Sequence, residues 1–214
     1  MSGASSPQRV YLAGPEVFLP DASAVLARKA AMVRAAGLAP LLPVDEQAGR
    51  ARDTADLAAG IYAGNLALLD VCDLLIANLT PFRGPGADPG TVFELGYVAA
   101  RGRPVHAYSA DTRDLAARVR DGIGAAPDGR GVLRDPDDLL VEDFGRAENL
   151  MPAIACERAG GDVVRVRADP GGPAARIAAT DGLAACLARI VEGRARMADA
   201  AAHQGARDAD GDRS

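Results

Sequence analysis

Apolar residues fall into five short runs, and the stretches between them carry apolar positions at helical spacing. Arg9 to Ala13 reads as a first strand, ended by Gly14-Pro15. Asp21 can cap a helix whose Val25, Leu26, Met32 and Val33 share one face, with Gly37 as its stop. Leu38 to Leu42 predicts a second strand closed by Pro43. Thr54 then starts a helix through Leu69 with Leu57, Ile61, Leu68 and Leu69 inward. Asp73 to Leu79 is almost continuously apolar, the pattern of a strand covered on both faces. A Pro/Gly loop from Thr80 to Pro89 leads into a helix from Thr91 to Ala100, and Pro104 to Tyr108 makes a fourth strand. Beyond it the pattern weakens: a helix over 111–121, a Gly/Asp/Pro-rich excursion over 122–148, a short helix at Pro152 to Ala159, a fifth strand at Val163 to Val166 and an amphipathic helix from Thr180 to Met197.

Strands that alternate with helices predict a parallel sheet with helices on both faces: a flavodoxin-like or Rossmann-like three-layer α/β sandwich with five parallel strands. Residues 1–197 read as a single domain, and the small, polar residues 198–214 as a flexible tail. Right-handed crossovers place the loops after strands one, two and three on one sheet edge. Ligands of such folds bind outside the carboxyl ends of the strands. The chemistry is therefore expected among Gly14-Pro15-Glu16, Asp45-Glu46-Gln47 and the segment from Thr80 to Glu94.

Composition narrows the chemistry by subtraction. A net charge of -5 gives no sign of the clustered positive surface that nucleic acid requires. No apolar run reaches the length of a membrane span, and a cytoplasmic protein is the expectation. Cys72, Cys156 and Cys186 lie far apart in apolar stretches, which suits buried thiols better than a disulfide framework or a zinc site. The two histidines, His106 in a strand and His203 near the end, make neither a metal cluster nor a catalytic base. Lys29 is the only lysine among 24 basic residues, a bias that reads as base composition, and its place on the first helix offers no Schiff-base role. GxxxxGK[ST] and GxGxxG loops are both missing. Carboxylate chemistry is left, with no metal and no cofactor expected.

Two carboxylates stand close together in Asp88-Pro89-Gly90-Thr91-Val92-Phe93-Glu94. Asp88 ends the loop, and Glu94 lies in the opening turns of the next helix, where unpaired N–H groups and the dipole favour an ionised carboxylate. Such a group can attack the anomeric carbon of a sugar, as in retaining glycosidases. A second carboxyl beside it can hold a proton for the leaving group. The spacing fits a plainer reading equally well. Asp88-Pro89 matches an N-cap with proline at the first helical position, and Thr91-x-x-Glu94 matches a capping box.

Five segments taken in order resemble the nucleoside 2-deoxyribosyltransferase family. They are Val10-Tyr11-Leu12-Ala13-Gly14-Pro15 with Phe18, Pro43-Val44-Asp45-Glu46-Gln47, Asp73 to Leu79, Asp88 to Tyr97, and Glu142-Asp143-Phe144 leading to Asn149-Leu150-Met151. The resemblance covers residues 9 to 166. It implies that Glu94 is the nucleophile of a covalent deoxyribosyl-enzyme, that the Tyr11 hydroxyl holds this carboxylate, and that Asp88 orients sugar and base. It further implies that Gln47 contacts the nucleobase and Phe18 packs on it, with Gly14 and Gly90 lining the substrate site. Asn149 and Met151 correspond to a segment that completes a neighbouring subunit's site. The implied partners are a deoxynucleoside and a free nucleobase, in a homo-oligomer that is a dimer or larger, a hexamer included.

Two departures stand out. The best-known members carry an aspartate near the base where this chain has Asn65, which can hydrogen-bond a base edge but cannot donate a carboxyl proton. Pro89 replaces the more usual valine. Two other functions compete with transfer: hydrolysis of a nucleoside or its 5'-monophosphate, for which Arg83 and the helix start at Gly90 are the available phosphate contacts, and non-catalytic nucleoside or nucleotide binding on the same fold.

Overall fold

The computed structural model describes residues 6–43, 54–167 and 171–211. The chain runs β1 (Arg9–Ala13), a 3-10 turn (Pro15–Phe18), α1 (Ala22–Ala35), β2 (Ala39–Leu41), α2 (Thr54–Val71), β3 (Leu74–Asn78), α3 (Pro89–Ala100), β4 (Val105–Ser109), α4 (Leu115–Ile123), β5 (Ala126–Pro127), β6 (Leu133–Arg134), α5 (Leu150–Arg158), β7 (Val163–Arg165), α6 (Pro173–Ala178) and α7 (Asp181–Gly211). Five strands form one parallel sheet in the order β2-β1-β3-β4-β7. This is the three-layer α/β arrangement expected from the alternation of elements.

Strand alternation divides the core into two. Tyr11, Ala13, Leu75, Ala77, Val105 and Ala107 point to the face covered by α2, α3 and α5. Val10, Leu12, Leu74, Ile76, Tyr108 and Val164 point to the face covered by α1 and α7. Both faces of β3 are buried, which is why its sequence shows no polar alternation. Gly182, in the first turn of α7, lets that helix lie on the ring of Tyr108: a Cβ there would stand 2.3 Å from a ring carbon. Because β1 has β2 on one side and β3 on the other, the chain reverses direction across the sheet at β1. A crevice opens at the carboxyl ends of β1 and β3.

The weakly patterned regions depart from expectation. The excursion after β4 holds a short hairpin, β5 with β6, over its own small core of Ala116, Val119, Ala125 and Leu133. The fourth helix starts at Leu115 rather than near 111 because Asp114 caps it, its side chain accepting from the Ala117 amide. A helix not foreseen, α6, buries Ile177. The pattern ends regular structure at Met197, but the last helix continues to Gly211. Residues beyond Met197 are rich in alanine, the strongest helix former, so loss of amphipathicity did not end the helix. Among the described residues no helix is long and apolar enough to cross a membrane.

Candidate active site

At the crevice lies a cavity of about 340 Å³ lined by Gly14, Val17, Phe18, Pro43, Ile61, Asn65, Asp88, Gly90, Thr91 and Glu94. Each side is supplied by a different element. The turn after β1 brings Gly14, Val17 and Phe18, α2 brings Ile61 and Asn65, and the start of α3 brings the two carboxylates. Asp88 and Glu94 are the charged groups of this lining among the described residues. Gln47, expected at the base, lies outside those residues.

The carboxylates have separate jobs. Asp88 is the N-cap of α3: its Oδ2 accepts from the Thr91 amide at 2.8 Å and from the Thr91 hydroxyl at 2.9 Å. With Asp88 as N-cap, Thr91 stands at N3, and the Thr91-x-x-Glu94 capping box is not formed. Glu94 instead reaches the cavity from the second turn, where its Oε1 accepts a 2.8 Å hydrogen bond from the Tyr11 hydroxyl. Tyr11 is wholly buried under the sheet's α3 face, so its ring is fixed and its hydroxyl has this one direction to point.

Glu94 is less acidic than the helix-start argument anticipated. Burial pushes its pKa up from 4.5 to about 7, the hydrogen bond from Tyr11 pulls it down, and the charges of Asp88 and Glu16 push it up again. The dipole acts mainly in the first turn, and Glu94 lies beyond it. Burial, followed by the charge of Glu94, holds the Tyr11 phenol far above its ordinary range, so it remains a hydrogen-bond donor.

Known proteins resemble this chain in sequence and in fold. Residues 10–151 match the family described as nucleoside 2-deoxyribosyltransferase. The chain belongs to the nucleoside 2-deoxyribosyltransferase family. A protein of Schizosaccharomyces pombe, itself uncharacterised, is 34% identical over 167 residues, covering 72% of this chain and 79% of its own. The structure of a 2-deoxyribosyltransferase from Leishmania mexicana is 29% identical, covers 87% of this chain and 98% of its own, and superposes with a TM-score of 0.57.

Of the positions that the family resemblance singles out, Gly14, Phe18, Asn65, Asp88, Gly90 and Glu94 meet in the cavity, with Tyr11 directly behind. Asn149 and Met151 do not line it. Asn149 caps α5 through the Met151 amide and donates to Glu142 at 2.8 Å, while Met151 is 71% exposed. Arg83 adopts a left-handed backbone, φ 53°, and its guanidinium lies over the rings of Phe18 and Phe82, which stack 5.0 Å apart.

Sequence reasoning missed the support beneath the loop. Arg118 and Glu148, both buried, pair at 3.1 Å. Arg118 also donates to the Pro85 carbonyl, and Glu148 accepts from the amides of Ala87 and Asn149. This ties the residue just before Asp88 to the start of α5. Neither residue carried a signal. An arginine in a short amphipathic helix and a glutamate in a polar excursion both look like surface.

Proposed function

We propose that the protein transfers a 2-deoxyribosyl group from a deoxynucleoside to a free nucleobase through a covalent intermediate on Glu94, as part of nucleoside salvage and without a cofactor. The observation that carries this reading is the Tyr11–Glu94 hydrogen bond at a cavity wall. A glutamate merely capping its helix would turn to the backbone. This one turns to a phenol that can hold one oxygen and leave the other to react.

In the first half-reaction Glu94 attacks the anomeric carbon, the carbon–nitrogen bond breaks with its electron pair going to the base, and the base nitrogen takes up a proton. In the second, a ring nitrogen of the incoming base attacks the same carbon and gives up its proton to the group or water that protonated the first base. The ester bond to Glu94 breaks with its electron pair returning to the carboxylate, and configuration is retained overall. Asp88 orients the sugar, and Phe18 and Asn65 face the base. With Asn65 in place of a carboxyl, the base is protonated by Asp88 or by water.

Incubating the protein with deoxyinosine and adenine, against a control without adenine, tests the reading. Deoxyadenosine is the expected product. Deoxyinosine cleavage that ignores adenine would establish hydrolysis instead, and binding without cleavage a sensing module.

Exchanging Asp88 for Asn separates capping from chemistry. Asparagine caps about as well as aspartate, so stability is expected to stay within about 0.5 kcal/mol by thermal melting. Turnover is expected to fall by about tenfold or more because the carboxylate is gone. Unchanged turnover would reduce Asp88 to a cap.

The same reading makes the protein a homo-oligomer in which Asn149 and Met151 serve a neighbour's cavity. Exposed apolar side chains on the α2, α3 and α5 face, Tyr62, Phe93 and Met151, support it. Light scattering of the active protein is expected to give a dimer or larger, and an active monomer would remove this part.

A further inference from the structure

We propose that the buried pair of Glu16 and Lys29 is a positioning device for the cavity: it clamps the segment from Gly14 to Phe18 and thereby sets how tightly substrate is held. Lys29 is the single lysine of a chain that otherwise uses arginine for its cations, and it is also buried, with 1% of its surface exposed. Base composition does not account for that placement; the local geometry does. Its ammonium donates to the Glu16 carboxylate, to the Tyr108 hydroxyl at 2.9 Å and to the Ile177 carbonyl at 3.0 Å. Three acceptors meet three N–H bonds around a compact centre, where a planar guanidinium would not fit.

The pair lies directly behind the cavity wall. Glu16 belongs to the 3-10 turn, between Gly14 and the side chains of Val17 and Phe18, all three of which line the cavity. Its Oε1 also accepts from the Asn78 amide at 2.9 Å, and Asn78 donates again to the Ile177 carbonyl. The carboxylate packs so closely under Gly14 that a Cβ there would stand 2.0 Å from Oε2. One cluster of polar groups thus joins the turn to α1, β3, β4 and α6. Beside it Leu19, Val25 and Ile177 form a small apolar core against which Phe82 packs, the ring that stacks on Phe18.

The turn needs such an anchor. It is a single 3-10 turn with no side-chain cap, and Phe18 is 54% exposed, so apolar burial alone holds it poorly. Stability is a weak explanation for a buried ion pair, because apolar groups of similar volume usually stabilise at least as well. Fixed direction is what the pair adds.

The inference rests on the reading of the cavity as a deoxynucleoside site, and two measurements on the full chain separate the two ideas. In Lys29→Met, hydrogen exchange of the amides from 16 to 19 is expected to quicken by about tenfold or more while the amides of β3 and α3 keep their protection. With deoxyinosine and adenine, KM is expected to rise by about tenfold with kcat within about threefold, the pattern of lost ground-state binding. Lys29→Arg is expected to behave like Lys29→Met. Should Lys29→Met fail to fold, the double variant Glu16→Gln/Lys29→Met removes both charges, and its turn is expected to exchange as fast. Exchange at 16–19 that matches the parent, or that quickens equally across the sheet, overturns the proposal. A parent protein that leaves deoxyinosine intact defeats the functional reading alone, and the exchange measurement still decides the clamp.

Discussion

Replacing Glu94 with Gln is expected to lower turnover of a deoxynucleoside by about four orders of magnitude or more, because an amide cannot form the ester that the two half-reactions share. Intact-mass measurement of the parent protein with deoxyinosine and no acceptor is expected to show one added deoxyribosyl group, and the variant none. The same change is expected to make the fold more stable in alkaline solution. Folding raises the Glu94 pKa from its ordinary 4.5 to about 7. The protonated form is therefore favoured, and this contribution is fully present below about pH 4.5 and lost as pH rises through about 7. Glutamine never ionises. Glu94→Gln should melt close to the parent near pH 4.5 and above it at pH 8, by an amount on the order of 3 kcal/mol if the whole shift is expressed. Loss of turnover together with gain of stability marks a charge kept for chemistry. A variant that lost stability at pH 8 would place Glu94 among the structural residues.

The sequence reveals most where one residue type has one physical use. Strand positions were legible because a parallel strand buried on both faces must be apolar throughout, as Leu74 to Asn78 are along most of their length. The side of the sheet that holds the cavity followed from the handedness of crossovers. Spacing could not separate the roles of Asp88 and Glu94, since a cap and a nucleophile both want a carboxylate near a helix start. What distinguishes their placement is the phenol of Tyr11, 83 residues from Glu94 in sequence, which meets Glu94 while Asp88 caps α3. The buried pairs were illegible for the same reason. Lys29 and Glu16 are 13 residues apart and Arg118 and Glu148 are 30 apart, and a charged residue looks like surface until its partner is placed beside it. In α6 and the far end of α7, local propensity rather than amphipathic pattern decides, and a reading built on periodicity passes over both.

Tyr11→Phe isolates the hydrogen bond to Glu94, since it keeps the buried ring and removes only the hydroxyl. A hydrogen bond to a charged group is worth about 1.5–3 kcal/mol, so kcat/KM is expected to fall by roughly ten- to a hundredfold. The loss should depend on pH in a fixed sense. In the proposed reaction attack requires the ionised carboxylate, so activity of the parent protein is expected to rise with pH along a limb near 7, the value to which Glu94 is pushed in the free protein. Tyr11 pulls that value down. Without its hydroxyl the limb moves to higher pH, and the deficit is larger at pH 6 than at pH 9. What persists at pH 9, where both proteins carry an ionised Glu94, measures how far the phenol aims the carboxylate rather than charges it. A pH–kcat/KM profile of the two proteins reads both quantities at once. A limb that stayed in place, or moved to lower pH, would mean that the Tyr11 hydroxyl does not act on the group that limits the reaction.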